Sequence, residues 1–204
     1  YLQKGNANLG QLGFTDHSKA HCVQVAHQAG KILKRLGYSE HEIELAKIAG
    51  YMHDIGNAIN RTHHAEYGAL LANDLLKETD MSLEDRITVI AAIGNHDEST
   101  GSPEDVVSAA LIIADKTDVR RSRVRQKERS AYDIHDRVNY AVTDVKLKIA
   151  EDKSVIALNL QIDEKICSMY DYFEIFLERM MLCRKAAEIL GTTFKLTVNG
   201  RKVL

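Results

Sequence analysis

The sequence predicts a mainly α-helical fold ending in a small α+β unit of ββαββ order. Apolar residues recur at helical spacing as far as about residue 120, and helix-capping signals punctuate that stretch. Strict apolar alternation appears only after it. With 204 residues, 45% of them hydrophobic, and only 1 Pro, the chain can bury a core and is not linker-rich or disordered.

Thr15 or Asp16 is the expected N-cap of a first helix that stops at Gly37, a C-cap type of residue. Ser39 opens a second helix, and Glu42 three residues later completes a capping box. Leu45, Ile48, Ala49 and Met52 form its apolar stripe, which ends at His53-Asp54-Ile55-Gly56. A third helix is expected from about Thr62 to Lys77, and a fourth from Ser82 to about Gly94. The fifth has Pro103 in its first turn and carries the apolar run 109–114 to Asp115.

The pattern then changes. Residues 120–130 are polar and strongly basic, which reads first as a solvated face, with phosphate recognition the sharper alternative. Val145, Leu147 and Ile149 alternate, a turn-like stretch follows, and Ile156, Leu158, Leu160 and Ile162 alternate again, as in a β-hairpin. A long helix is expected from about Asp163 to Leu190, and then a strand closed by Asn199-Gly200, a strong hairpin signal. The expected division is a helical unit over 1–138 and a small α+β extension over 139–204 packed on it.

A net charge of −2 gives no global attraction to nucleic acid or anionic lipid, so a nucleic-acid partner is not expected. Cys22, Cys167 and Cys183 share no metal-binding spacing and read as buried thiols of a reducing, cytoplasmic compartment. No apolar run approaches the roughly 18 residues of a membrane span. The long apolar helix allows a homodimer.

His21, His53, Asp54, His64, His96 and Asp115 carry most of the functional signal. All are nitrogen or oxygen ligands. Four suffice for one divalent ion, and six suggest two ions bridged by a carboxylate, a device for making hydroxide at neutral pH. A His-Asp doublet means little alone, and the chain has three: His53-Asp54, His96-Asp97 and His135-Asp136. Company favours the first. His17 and His21 lie four apart on one helix face, His64 opens the next helix, and His96 lies just past a helix end. Asp115 ends a buried apolar run, where a carboxylate is costly unless a cation or donor meets it. His135-Asp136, in a polar stretch with no nearby His, reads as the chance pair.

Asp16-His17-Ser18-Lys19-Ala20-His21, Tyr51-Met52-His53-Asp54-Ile55-Gly56 and Ala114-Asp115-Lys116-Thr117-Asp118 together resemble the HD superfamily of metal-dependent phosphohydrolases over roughly residues 14–125. The resemblance implies an HD-type helical bundle with ligands at His21, His53, Asp54 and Asp115. His64-Ala65-Glu66-Tyr67-Gly68 and Asn95-His96-Asp97 are similar to elements of branches with two or more metals, adding His64 and His96. Asn57 stands where many relatives have Lys, and the Gly-Tyr-Pro signature of the cyclic-di-GMP branch is absent.

The resemblance implies hydrolysis of a phosphomonoester or phosphodiester of a nucleotide-like metabolite by a metal-activated hydroxide. Asp54 would bridge two divalent transition ions, with Fe or Mn expected first and Co, Ni, Zn or Mg alternatives. Lys116 and His17 join Asp54 as catalytic candidates, with Lys116, Arg121, Arg61 and His63 as substrate contacts. Asp118 would support Lys116 or a ligand imidazole. Two other readings stay open: an HD-type di-iron oxygenase, and a nucleic-acid or partner-binding module with a vestigial metal site.

Overall fold

The computed structural model describes residues 1–125 and 134–204; positions 126–130 of the basic run, and the side chain of His135, lie outside the described residues. A helical body is built from α1 (Leu2–Gln11), α2 (Lys19–Leu36), α3 (Glu40–Met52), α4 (His64–Leu76), α5 (Leu83–Gly94) and α6 (Val106–Lys116). After α7 (Ile134–Ala141) come β1 (Val142–Ile149), β2 (Val155–Ile162), α8 (Met169–Ile189), β3 (Thr193–Val198) and β4 (Arg201–Lys202). The ββαββ order expected from the alternation is therefore present. Among the described residues no helix is long and apolar enough to cross a membrane.

Local chemistry sets the helix ends. The Ser39 hydroxyl accepts from the Glu42 amide while the Glu42 carboxylate accepts from the Ser39 amide at 2.8 Å, the reciprocal bonds of a capping box. Ser82 caps α5 by accepting from the Asp85 amide. Gly37 ends α2 at φ 94, a left-handed conformation that glycine adopts without steric penalty.

Four boundaries differ from the sequence expectation. Helix α1 was not anticipated, because a segment holding Gly5, Asn6, Asn8 and Gly10, with few apolar residues, has weak helix propensity. Helix α2 begins after Ser18, since Asp16 instead accepts from Ser18 Oγ at 2.6 Å and holds a loop. Pro103 lies ahead of α6, whose cap is Asp105, accepting from the Ser108 amide at 2.7 Å. Asp163 accepts from the Lys165 amide at 3.0 Å in a turn, so α8 waits for Ser168 and its capping box with Asp171.

Helix α6 is buried on almost every side, the mark of a central element. It packs against α2, α3, α5 and α8. Asp115 and Lys116 form its last two positions and so emerge at one end of the core. The sheet runs β1-β2-β3-β4: β1 and β2 are antiparallel, β2 and β3 parallel across the α8 connection, and β3 and β4 antiparallel. Asn199 and Gly200 both have positive φ, as a two-residue hairpin turn requires. Ile156, Leu158, Leu160, Phe194 and Leu196 are buried on the sheet. Because α8 also lies against α6, its residues can reach the end of α6 where Asp115 stands.

Candidate metal centre and its cavity

Five helices and one 3₁₀ turn bring the six candidate ligands together. His21 sits in the first turn of α2, His53 caps α3, and Asp54 precedes the turn Ile55–Ala58. His64 opens α4, His96 lies two residues past α5, and Asp115 is on α6. Gly56 makes the approach of α4 possible, since a Cβ there would stand 2.0 Å from the His64 carbonyl oxygen.

The ligand atoms fall into two groups. His21 Nε2 is 3.3 Å from Asp115 Oδ1 and 3.7 Å from Asp54 Oδ2. His53 Nε2 is 3.2 Å from Asp54 Oδ2 and 3.7 Å from Asp115 Oδ1. On the other side of the same carboxylate, His64 Nε2 is 3.8 Å from Asp54 Oδ1 and 3.2 Å from His96 Nε2. Atoms bound at about 2.0–2.2 Å to one ion lie about 3–4.4 Å from each other, depending on the angle between them, so both sets of spacings suit a divalent ion. Asp54 offers one oxygen to each group.

Each imidazole is fixed through its other nitrogen. His21 Nδ1 donates to Asp118 Oδ2 at 2.7 Å, and His53 Nδ1 to the Gly50 carbonyl at 2.8 Å. His96 Nδ1 donates to the Ile93 carbonyl at 2.6 Å, and His64 Nδ1 to the Arg61 carbonyl at 3.2 Å. A carbonyl can only accept, so these rings carry their proton on Nδ1 and a lone pair on Nε2. Burial pushes the His96 imidazole down to about 3, and burial with the nearby Arg61 lowers His64. Two lone pairs therefore stand 3.2 Å apart, with Arg61 Nη1 3.3 Å from that of His64, and both are placed to accept a shared cation. On the other side, His21 Nε2, His53 Nε2 and Asp54 Oδ2 are buried without any hydrogen-bond partner. Polar atoms in that condition are rare and expensive. The residues fit two divalent ions.

Neighbours orient the carboxylates. Asn57 Nδ2 donates to Asp54 Oδ1 at 2.8 Å, so the residue standing in place of the expected Lys is a neutral brace. Lys116 Nζ lies 2.8 Å from Asp115 Oδ2, leaving Oδ1 to face the imidazoles. Against burial, Lys116 holds the Asp115 carboxyl well below the usual carboxylate range. Asp118, one of two partners foreseen for Lys116 or a ligand imidazole, supports His21 and is itself held by Arg120 Nη2 at 2.9 Å.

A cavity of about 200 Å³ opens over the cluster. Among the sequence candidates His17, Arg61 and Lys116 line it. His17 Nδ1 donates to the Thr15 carbonyl at 2.8 Å, and its ring meets His21 edge-on. Two expected substrate contacts are elsewhere. The Arg121 guanidinium lies over the Tyr140 ring, 4.6 Å from its centroid, and does not line the cavity, because the 3₁₀ turn Arg121–Arg123 gives the inner position to Arg123. His63, at φ 60, is exposed and lines a neighbouring groove beside Glu66.

Sequence reasoning missed Glu98, Arg123, Arg179, Asp136 and Asn139, all of which line the cavity. Asp136, from the doublet read as a chance pair, is buried and lines the cavity wall. Arg179 comes from α8, and its Nε lies 2.7 Å from Glu98 Oε1. Its only sequence signal was a basic residue within an apolar helix. All three cysteines are buried free thiols, as expected.

The HD domain family model matches residues 19–120. The chain is 29% identical over 170 residues to an uncharacterized protein of Methanocaldococcus jannaschii, which covers 72% of this chain and 65% of that protein. It is 30% identical over 125 residues to Ribonuclease Y of Aster yellows witches'-broom phytoplasma, covering 60% of this chain and 21% of the relative. Ribonuclease Y of Campylobacter jejuni subsp. doylei is 32% identical over 125 residues, with 60% and 22% covered. The chain thus spans under two thirds of the first relative and about a fifth of the two ribonucleases. A match over half of the sequence, falling on the helices that carry these imidazoles and carboxylates, shows that the chain belongs to the HD domain family, within the superfamily of metal-dependent phosphohydrolases.

Proposed function

We propose that this protein hydrolyses a phosphoester bond of a nucleotide or related small metabolite, using two divalent transition ions with iron or manganese preferred. The observation that carries the proposal is the pair of ligand groups sharing Asp54, with His21 Nε2, His53 Nε2 and Asp54 Oδ2 buried and without a hydrogen-bond partner among the described residues. Such ions supply activation of water near neutral pH and neutralisation of charge around phosphorus. The absence of a thiolate-rich set favours them over a structural zinc.

The chain's own residues divide the remaining work. Asp54 holds both ligand groups in register through its two oxygens. Lys116 keeps Asp115 ionised and turned towards His21 and His53. With its Nδ1 hydrogen donated to Thr15, His17 has Nε2 as the atom that can accept a hydrogen from water or substrate. Arg61 and Arg123 present guanidinium groups to the bound phosphate. A cavity of about 200 Å³ is smaller than the roughly 300–1,000 Å³ typical of drug-sized ligands, which supports a small phosphate compound.

The test is metal analysis of protein purified without chelator, followed by a phosphatase and phosphodiesterase panel. Two transition ions per chain and metal-dependent phosphate release are expected. Protein that binds no transition ion, or consumes oxygen without releasing phosphate, overturns the proposal. The similarity to Ribonuclease Y supports a second reading, cleavage of a phosphodiester in RNA, and a short RNA belongs in the panel.

A further inference from the structure

Four cationic side chains line the cavity: Arg61, Lys116, Arg123 and Arg179. Their charges are not equally available. Lys116 Nζ lies 2.8 Å from Asp115 Oδ2 and 2.7 Å from Glu98 Oε2. Arg179 is tied to the other oxygen of Glu98 at 2.7 Å. These two cations and two carboxylates form one continuous chain of ion pairs, so Lys116 is already neutralised before any substrate arrives.

Arg61 and Arg123 are held differently. Arg61 Nη1 meets only neutral groups, the Asn57 amide oxygen at 3.5 Å and His64 Nε2 at 3.3 Å. Arg123 donates from Nε to the Asp16 carbonyl at 3.1 Å and from Nη1 to the Asp118 carbonyl at 2.8 Å. Among the described residues neither has a carboxylate in ion-pair contact. Arg123 is only 7% exposed and its hydrogen-bond acceptors among the described residues are carbonyls, so an anion in the cavity would offset the cost of taking its guanidinium out of water. Both retain N–H groups for one, Nη2 on Arg123 and Nε with Nη2 on Arg61, and guanidinium forks match phosphate oxygens.

We infer that Arg61 and Arg123 form a receptor for a dianionic phosphate group and that the site therefore takes a phosphomonoester in preference to a phosphodiester. This rests on the phosphohydrolase reading above and narrows its substrate class. A monoester carries up to two negative charges at neutral pH and leaves three non-bridging oxygens for ions and guanidinium groups. A diester has one charge and two such oxygens, and its second substituent must share the same small cavity.

The test uses the full chain loaded with manganese. The kcat/KM for p-nitrophenyl phosphate is compared with that for bis(p-nitrophenyl) phosphate, and inorganic phosphate binding is titrated calorimetrically. We expect the monoester to be favoured by about 10-fold or more, and Arg61→Gln and Arg123→Gln each to weaken inorganic phosphate binding by about 10–100-fold, the range of a charged hydrogen bond of about 1.5–3 kcal/mol. Metal content should stay unchanged, and Arg123→Lys should recover part of the binding. Because Arg123 also clasps two carbonyls, its Gln variant can fail to fold; Arg61→Gln, at a half-buried position, then carries the test. Equal or better turnover of the diester overturns the monoester preference while leaving a phosphohydrolase intact. Phosphate binding insensitive to the Arg61 substitution overturns the receptor. If neither ester is hydrolysed but phosphate binding depends on Arg61, the receptor stands and the hydrolase reading fails.

Discussion

On the ligand wall of the cavity each candidate ligand imidazole is held from behind by an acceptor, and each carboxylate has a donor that orients it. The cationic wall meets it where Arg61 Nη1 lies 3.3 Å from His64 Nε2; there Arg61 and Arg123 are steered by neutral groups and have no carboxylate in ion-pair contact among the described residues. In the proposed reading one wall holds cations and the other an anion. On the proposed reading the difference makes metal binding and substrate binding separable: ligand geometry comes from the ends of the HD helices, and phosphate geometry from the loop after Asp54 and the segment after α6.

That separation is broken most directly at Asp54, the residue that serves both ligand groups. Asp54→Ala removes an oxygen from each. Its effect on activity should exceed the ~10–100-fold that an outer-shell partner typically contributes, with transition-metal content falling in parallel. Elemental analysis beside steady-state kinetics checks this, and full metal occupancy in the variant would contradict the bridging role.

Gly56→Ala attacks the same wall through the backbone. A Cβ there would stand 2.0 Å from the His64 carbonyl and 2.5 Å from the Gly68 amide, so the turn and α4 must separate. Overpacking of this kind costs about 1–3 kcal/mol and more where backbone must move. The measurement is denaturant unfolding of the metal-free protein. An unchanged midpoint would show that the close approach is not needed for stability.

How much of each wall was legible in the sequence follows from the physics that builds it. His53-Asp54-Ile55-Gly56 and Asp115 lie at helix ends whose caps and apolar stripes are local features, so both chemistry and address were readable. The capping box of Ser39 and Glu42 and the Asn199-Gly200 turn were readable for the same reason. Arg123 and Arg179 were not. Their importance depends on a tertiary contact, α8 against α6, and on which residue of a short turn points inward. A basic residue in a basic run looks the same whether it faces a cavity, like Arg123, or a tyrosine ring, like Arg121. Glu98 was hidden likewise, because its neutralising role exists only once Lys116 and Arg179 flank it.

A subtler way to sharpen the contrast is Asp118→Ala. It removes the acceptor of His21 Nδ1 while leaving all six candidate ligands in place. The ring is then free to rotate or change tautomer, and metal affinity should fall by about 10–100-fold. Competition with a metallochromic indicator reads this, and Asp118→Asn, which keeps an accepting oxygen, should recover part of the loss. Equal affinities for wild type and Asp118→Ala would show that packing alone orients His21.

The smallest effect belongs to Glu98→Gln, which touches only the cationic wall. It removes the charge shared by Lys116 and Arg179 but retains the shape and an accepting oxygen. Lys116 keeps Asp115 as partner, so the metal ligands should be undisturbed, whereas Arg179 becomes a third uncompensated guanidinium facing the cavity. Inorganic phosphate should bind more tightly, by about 2–5-fold, because a single charge acting through a high effective dielectric contributes only about 1 kcal/mol. Metal content should stay the same. A loss of metal instead would mean that Glu98 holds Lys116, and through it Asp115, in place, and the two walls would then be coupled through that ion-pair chain rather than independent.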